Sequence, residues 1–160
     1  VGSLLGFTTD MVGPYGYACY FGRTWLIGNG TPTQKQTDLY AAALKQHKAN
    51  ISKLLISTTF EDLSKLAYQN QNYGQHQFPD IYRGVGMAQE YPIIPKRSEW
   101  AERGYDGVLE ENMVLTVETY IAEDGSLDTE QEGVRLQDTV HVTKNGPVVL
   151  TDYEYKLSNN

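Results

Sequence analysis

The chain has 160 residues, 40% of them hydrophobic, and carries 13 basic against 20 acidic side chains for a formal net charge of -7. That is one domain of ordinary globular composition, long enough to bury roughly two-thirds of the surface its unfolded form exposes. The acidic balance and the scattered Lys and Arg exclude nucleic acid as a partner, and the lack of any apolar run near the roughly 20 residues of a span excludes a membrane helix. The single cysteine, Cys19, rules out an intrachain disulfide and, with no secretory leader visible, leads to an expectation of a reducing, cytoplasmic setting.

In chain order, Leu4 to Val12 and Tyr17 to Ile27 are β-rich runs separated by Gly13-Pro14-Tyr15-Gly16, a β-hairpin pattern. Thr33 followed by Gln36 forms the capping-box pattern that opens a helix, and apolar residues from Leu39 to Leu55 predict that helix over about residues 33 to 55. Thr58 with Glu61 starts a shorter one through Leu66. Residues 69 to 80 and 93 to 111 have loop composition. Strand patterns resume over Met113 to Ile121 and Val134 to Thr143, then Val148 to Leu150 after the turn Lys144-Asn145-Gly146-Pro147. Between them lies an acidic stretch, Ala122 to Gly133. The whole is an α+β pattern, a curved antiparallel sheet with two packed helices, in a single domain over 1–160. The first residue is Val1, already in a strand-like run, so an upstream portion is expected.

Three segments carry chemistry. The first runs Phe7-Thr8-Thr9-Asp10 through Gly13-Pro14-Tyr15-Gly16-Tyr17 to Tyr20-Phe21-Gly22-Arg23-Thr24-Trp25. The second is Arg83-Gly84-Val85-Gly86-Met87-Ala88-Gln89-Glu90-Tyr91-Pro92. The third is Leu109 to Tyr120, continued by Glu132-Gly133-Val134-Arg135-Leu136-Gln137-Asp138. In that order they resemble the pita-bread metalloenzymes: methionine aminopeptidase, aminopeptidase P, prolidase, creatinase and the dimethylsulfoniopropionate (DMSP) lyase of the same fold. The Gly-Pro-Tyr-Gly-Tyr turn and the Gly-x-Gly-x-x-x-Glu-Tyr-Pro wording are most similar to the lyase branch. The resemblance implies the C-terminal part of a catalytic domain that holds two divalent metals (Fe, Mn, Co or Zn) on carboxylates and one histidine, often as a dimer.

Residue by residue, the chain departs from that ligand pattern. Asp10 and Glu118 match ligand positions. Thr8 falls where the lyase branch has an aspartate, Tyr20 where the second hairpin aspartate belongs, Arg83 where the histidine belongs and Gln137 where the last glutamate belongs. Gln89 replaces the aspartate proposed as the lyase base. A neutral Thr or Gln lacks the charge that draws a hard dication, and a guanidinium is never a ligand. The expectation is therefore a metal centre lost or reduced to one weakly held ion, with Arg83 in an ion pair to Glu118 or Asp10 and with Gln137, Thr8 and Tyr20 taking up the remaining hydrogen bonds. The implied protein is non-catalytic or weakly active; the alternative is an active metal-dependent DMSP lyase or Xaa-Pro peptidase-type hydrolase. Tyr82, Tyr91 and Tyr120 lie in the same motifs and could line an aromatic pocket for a small cation. The expected partners are a small molecule and either a second copy or the upstream portion.

Beside these stand plainer readings. His47, His76 and His141 match no ligand position, and Cys19, on the strand face opposite Tyr20, is expected as a small core residue.

Overall fold

A computed structural model describes residues 2–70, 72–73, 80–122 and 132–158. The chain opens with β1 (Leu4–Val12) and β2 (Ala18–Leu26), paired antiparallel without a break from Leu4 opposite Leu26 to Val12 opposite Ala18. Their connection is a single 3-10 turn in which Tyr15 (φ 65°) and Gly16 (φ 85°) take left-handed backbone, free to glycine but strained for tyrosine.

Helix α1 (Gln34–Ile51) starts on the expected capping box, with both reciprocal bonds made between Thr33 and Gln36. It ends at Ile51 rather than near 55, because Lys53 and Leu54 bond three residues back and tighten into a turn. The next cap sits one residue later than the sequence pattern suggests. Thr58 is held by a backbone bond from Leu109, so it is the Thr59 hydroxyl that accepts from Asp62 and opens α2 (Phe60–Leu66).

Next comes a hairpin, β3 (Asp80–Val85) and β4 (Gln89–Pro95), which takes Ile93 and Ile94 out of the expected loop and into the sheet. Pro92 and Pro95 obscure that strand in the sequence; β4 tolerates them because it is the sheet edge, where an absent N–H breaks no ladder. A one-turn helix, α3 (Trp100–Arg103), follows. Then come β5 (Val114–Ala122), β6 (Gly133–Thr143) and β7 (Gly146–Val149). The acidic stretch expected between the first two of these lies largely outside the described residues.

All seven strands form one sheet in the order β1-β2-β6-β5-β3-β4, with β7 also on β6. The joint between β2 and β6 is unusual. Only Gly22 and Gln137 pair directly; on one side the Thr139 hydroxyl bonds the N–H and C=O of Tyr20, and on the other the Thr24 hydroxyl bonds those of Arg135. Threonine hydroxyls thus stand in for ladder bonds where the strands splay apart. Gly22 is required there, since a Cβ would lie 2.9 Å from Thr8 Cγ2 and 3.0 Å from Gln137 Cβ.

Helix α1 covers one face of the sheet through Leu39, Tyr40 and Ala43, which pack on Ile121, Val134 and Leu136. A second cluster joins Leu54, Phe60 and Leu63 to Ile81, Ile94, Leu115 and Val140. Each such aliphatic side chain contributes about 2 kcal/mol by leaving water. The opposite face carries Thr8, Asp10, Tyr20, Arg83, Glu118 and Gln137 of the three motifs.

Candidate functional site

Strand alternation sorts the motif residues by face. In β1, Thr8 and Asp10 point together; Asp10 pairs with Tyr20 and Thr8 with Gly22. In β5 and β6, Glu118 stands opposite Gln137 and Thr116 opposite Thr139. Arg83 of β3 is opposite Thr116. Thr8, Asp10, Tyr20, Arg83, Glu118 and Gln137, which lie more than 100 residues apart at the extremes, therefore share one patch of one face.

Arg83 is its centre. Its Nη2 lies 3.2 Å from Asp80, its Nη1 donates to Gln89 Oε1 at 3.0 Å, and its Nε stands 3.8 Å from Glu118 Oε1. Asp80 also receives Arg103, which reaches on to Glu99. The other Glu118 oxygen is 3.6 Å from Arg135 Nη2. Glu118 is only 5% exposed. Burial raises its carboxyl above the usual range, and the Arg83 and Arg135 guanidiniums partly offset that rise. Burial, with the charge of Asp10 adding to it, also raises the Tyr20 phenol, so it remains a neutral hydroxyl at pH 7.

The polar capacity of the patch is not fully used. Gln137 donates to the Thr116 hydroxyl at 3.2 Å, but its Oε1, Glu118 Oε1 and Arg83 Nε are buried without a hydrogen bond. Here the structure differs from the expectation that Gln137 would complete the bonding of the carboxylates: its amide is turned to β5.

The three tyrosines of the expected aromatic pocket are not brought together. Tyr82 alternates to the helix face, is wholly buried and donates its hydroxyl to the Asn50 carbonyl. Tyr91 is exposed at the sheet edge, edge-on to Tyr105 at 5.5 Å, and Tyr120 packs beside Gly133. His141 lies near Asn112, and His76 falls outside the described residues. Cys19 is half-buried on the helix side of the sheet with its sulfur 3.8 Å from the Thr139 hydroxyl, in a rim rather than in the core.

Two features were not legible in the sequence. Asp80 and Arg83 are three apart on a strand, which puts side chains on opposite faces; a register irregularity between Asp80 and Tyr82 brings them together. Behind the patch, Asp138 is buried on the helix side with each carboxylate oxygen doubly bonded, one by Arg23 and Thr151, the other by His47 and Tyr155. The Arg23 guanidinium lies between the Phe21 and Tyr155 rings at 4.6 and 4.3 Å. The only hint was alternation, which turns Asp138 away from Gln137 toward a helix that carries His47.

The sequence pattern of metallopeptidase family M24 matches residues 5–144. The chain belongs to that family. It is 26% identical over 153 residues to dimethylsulfoniopropionate lyase DddP of Roseovarius nubinhibens, covering 95% of this chain and 33% of the lyase. It is 32% identical over 133 residues to the Xaa-Pro dipeptidase of Pyrococcus furiosus, covering 80% of this chain and 34% of that enzyme. Among solved structures, prolidase from Pyrococcus furiosus superposes with a TM-score of 0.74 at 28% identity, over 96% of this chain and 42% of the prolidase. The chain therefore spans about a third of the length of these curated relatives, and its sheet is the M24 fold. Among the described residues no group of three or more His, Cys, Asp or Glu is placed to hold a metal ion. The donor set itself does not fit a dication: a guanidinium stands against Glu118, and an amide and a phenol flank the two carboxylates.

Proposed function

We propose that this chain is part of an M24 catalytic domain whose metal centre has been replaced by an internal cation, so that it serves as a non-catalytic or weakly active small-molecule binding protein, a pseudoenzyme. The observation that carries this reading is Arg83. Its guanidinium lies within 3.8 Å of Glu118 and is fixed on its other side by Asp80 and Gln89, so a positive charge already occupies the neighbourhood a dication would need. Tyr20 opposite Asp10 and Gln137 opposite Glu118 supply no further anions. In this reading Asp10 and Glu118 are former ligands, Thr8, Tyr20, Arg83 and Gln137 are replaced ligand positions, and Gln89 stands in for the base.

The second reading is an active DMSP lyase or Xaa-Pro hydrolase, favoured by the two retained carboxylates and by the activities named for the relatives. A second copy, or chain beyond these residues, would then complete the site. Equilibration with excess Mn²⁺ or Co²⁺, removal of free metal and elemental analysis separate the two. The pseudoenzyme reading expects well below one equivalent and no turnover of DMSP or an Xaa-Pro dipeptide; two retained equivalents with turnover would overturn it. Restoring the ligands together, as Tyr20→Asp, Arg83→His and Gln137→Glu, is expected to raise metal retention. A cytoplasmic location and a homodimer belong to the same proposal.

A further inference from the structure

Beyond the question of metal, we infer that the open edge of β1 is the seam of a symmetric dimer, in which β1 of a second copy adds antiparallel to β1 and joins the two sheets into one. The two ends of the sheet are built differently. At the β4 end, Pro92 and Pro95 carry no N–H, and the Ile93 N–H is already donated to the Tyr105 hydroxyl at 2.7 Å. That edge is closed to a further strand. β1 ends the sheet on the other side and among the described residues pairs with β2 alone; it has no proline, no basic residue and no break in its register. An edge of this kind offers unpaired backbone groups to another chain.

Strand alternation fixes which groups those are. Gly13 donates its N–H to the Tyr17 carbonyl and Ile27 to the Ser3 carbonyl, so the odd-numbered residues of β1 make the bonds to β2. The N–H and C=O of Leu4, Gly6, Thr8, Asp10 and Val12 therefore point outward. That set is self-complementary. A twofold axis at Thr8 sets Thr8 against the partner's Thr8, Gly6 against the partner's Asp10 and Leu4 against the partner's Val12, and so uses the whole strand. An axis at Phe7 or Thr9 leaves one end of the strand without a strand partner. Each outward pair exchanges two bonds, about ten in all, the usual number for a specific interface.

Charge and side chains fit the same register. Asp10, the only charged residue of β1, meets a glycine. The two Asp10 carboxylates stay four residues apart along the seam, about 13 Å at roughly 3.3 Å per residue, beyond the Debye length of about 8 Å at physiological salt. On the helix side Leu5 lies beside the partner's Met11, and Phe7 beside the partner's Thr9. Leu5, Phe7 and Met11 are 49, 46 and 45% exposed in the single chain, next to the groove that Phe7, Met11, Phe21 and Tyr153 line, and the pairing joins these apolar strips across the seam. On the other face, the partner's Gly6 and Thr8 become the outer border of the candidate site beside Asp10 and Thr8.

Sedimentation velocity of the full chain in buffer containing a chelator tests the dimer, and amide hydrogen exchange read residue by residue tests the seam. A dimer is expected at about 100 µM that dissociates on dilution to about 1 µM, as for a Kd of about 10 µM. The amides of Gly6, Thr8 and Asp10 are expected to be at least tenfold better protected at the higher concentration, while those of Leu5, Phe7, Thr9 and Met11, already bonded to β2, change less than twofold. Thr8→Pro removes an outward N–H at the axis and breaks no bond to β2, so it is expected to weaken the dimer at least tenfold. Gly6→Lys and Gly6→Asp test the register. A Cβ there has room, with its nearest neighbours at 3.6 and 3.9 Å; facing the partner's Asp10, the lysine is expected to tighten the dimer threefold or more and the aspartate to weaken it as much. A dimer without protection of the even-numbered amides, or one that answers both Gly6 substitutions alike, would overturn this seam. So would assemblies that grow past the dimer, and so would a chain that stays monomeric at about 100 µM, which would leave the edge to a strand from beyond these residues. None of these results bears on metal retention, so the seam and the non-metal reading fail separately.

Discussion

At the scale of single residues, the chain spends its buried charge in two ways. Asp138 is fully committed, with four partners sharing two oxygens; burial alone would raise its carboxyl, but the bonds from His47, Arg23 and Thr151 hold it below the usual range. Glu118, one strand away on the other face, is only loosely paired and is raised instead. Truncation should separate them. Asp138→Ala leaves Arg23 buried without its anion and is expected to cost about 3–5 kcal/mol in urea unfolding, whereas Gln137→Leu is expected to be neutral or stabilising. Gly22→Ala is expected to destabilise by about 1–3 kcal/mol, because Thr8 and Gln137 must both give way to the new methyl. Of these residues, Asp10, Tyr20, Glu118 and Gln137 were identifiable from motif wording. Asp80 was not, because its approach to Arg83 depends on a register irregularity that no local pattern records.

Among the elements, α1 is the instructive case. Its start was legible because a capping box is local chemistry, but its docking face is not simply apolar: Gln46, His47 and Asn50 are as buried as Leu39 and Ala43. Each has a defined partner. Gln46 accepts from Asn70, Asn50 brackets the Tyr68 backbone, and His47 lies between Thr119 and Asp138. Burial lowers the His47 imidazole below its ordinary value, only partly offset by its bond to Asp138. The unfolded chain then binds a proton that the folded chain resists. That contribution to stability is complete above the unfolded pKa near 6.5 and is lost as pH falls toward the folded value. The urea midpoint of the chain is accordingly expected to drop between pH 7.5 and 5.5, and His47→Gln to flatten that slope. β4 shows the opposite limit of sequence reading. Two prolines disguised it as loop, and only its place at the sheet edge makes them compatible with a strand.

For the molecule as a whole, the sheet is covered unevenly. On the helix side, α1 lies over β5 and β6, while Leu5, Phe7 and Met11 of β1 remain 45 to 49% exposed, and Phe7 and Met11 line a groove of about 630 Å³ with Phe21, Leu150 and Tyr153. An apolar surface of that kind binds hydrophobic dyes. Phe7→Ser with Met11→Ser is expected to lower dye fluorescence severalfold while leaving the far-UV circular dichroism unchanged. By itself the sequence determined the fold class, the family resemblance, the first hairpin and the start of α1, because each is written in local periodicity or in contiguous motif wording. Only the tertiary structure decided where Arg83 points, that Tyr82 belongs to the core, that Asp138 organises the interior and that the Gln137 amide turns to Thr116. Those facts depend on which strands become neighbours and in what register, and the sheet sets both by joining segments more than 100 residues apart.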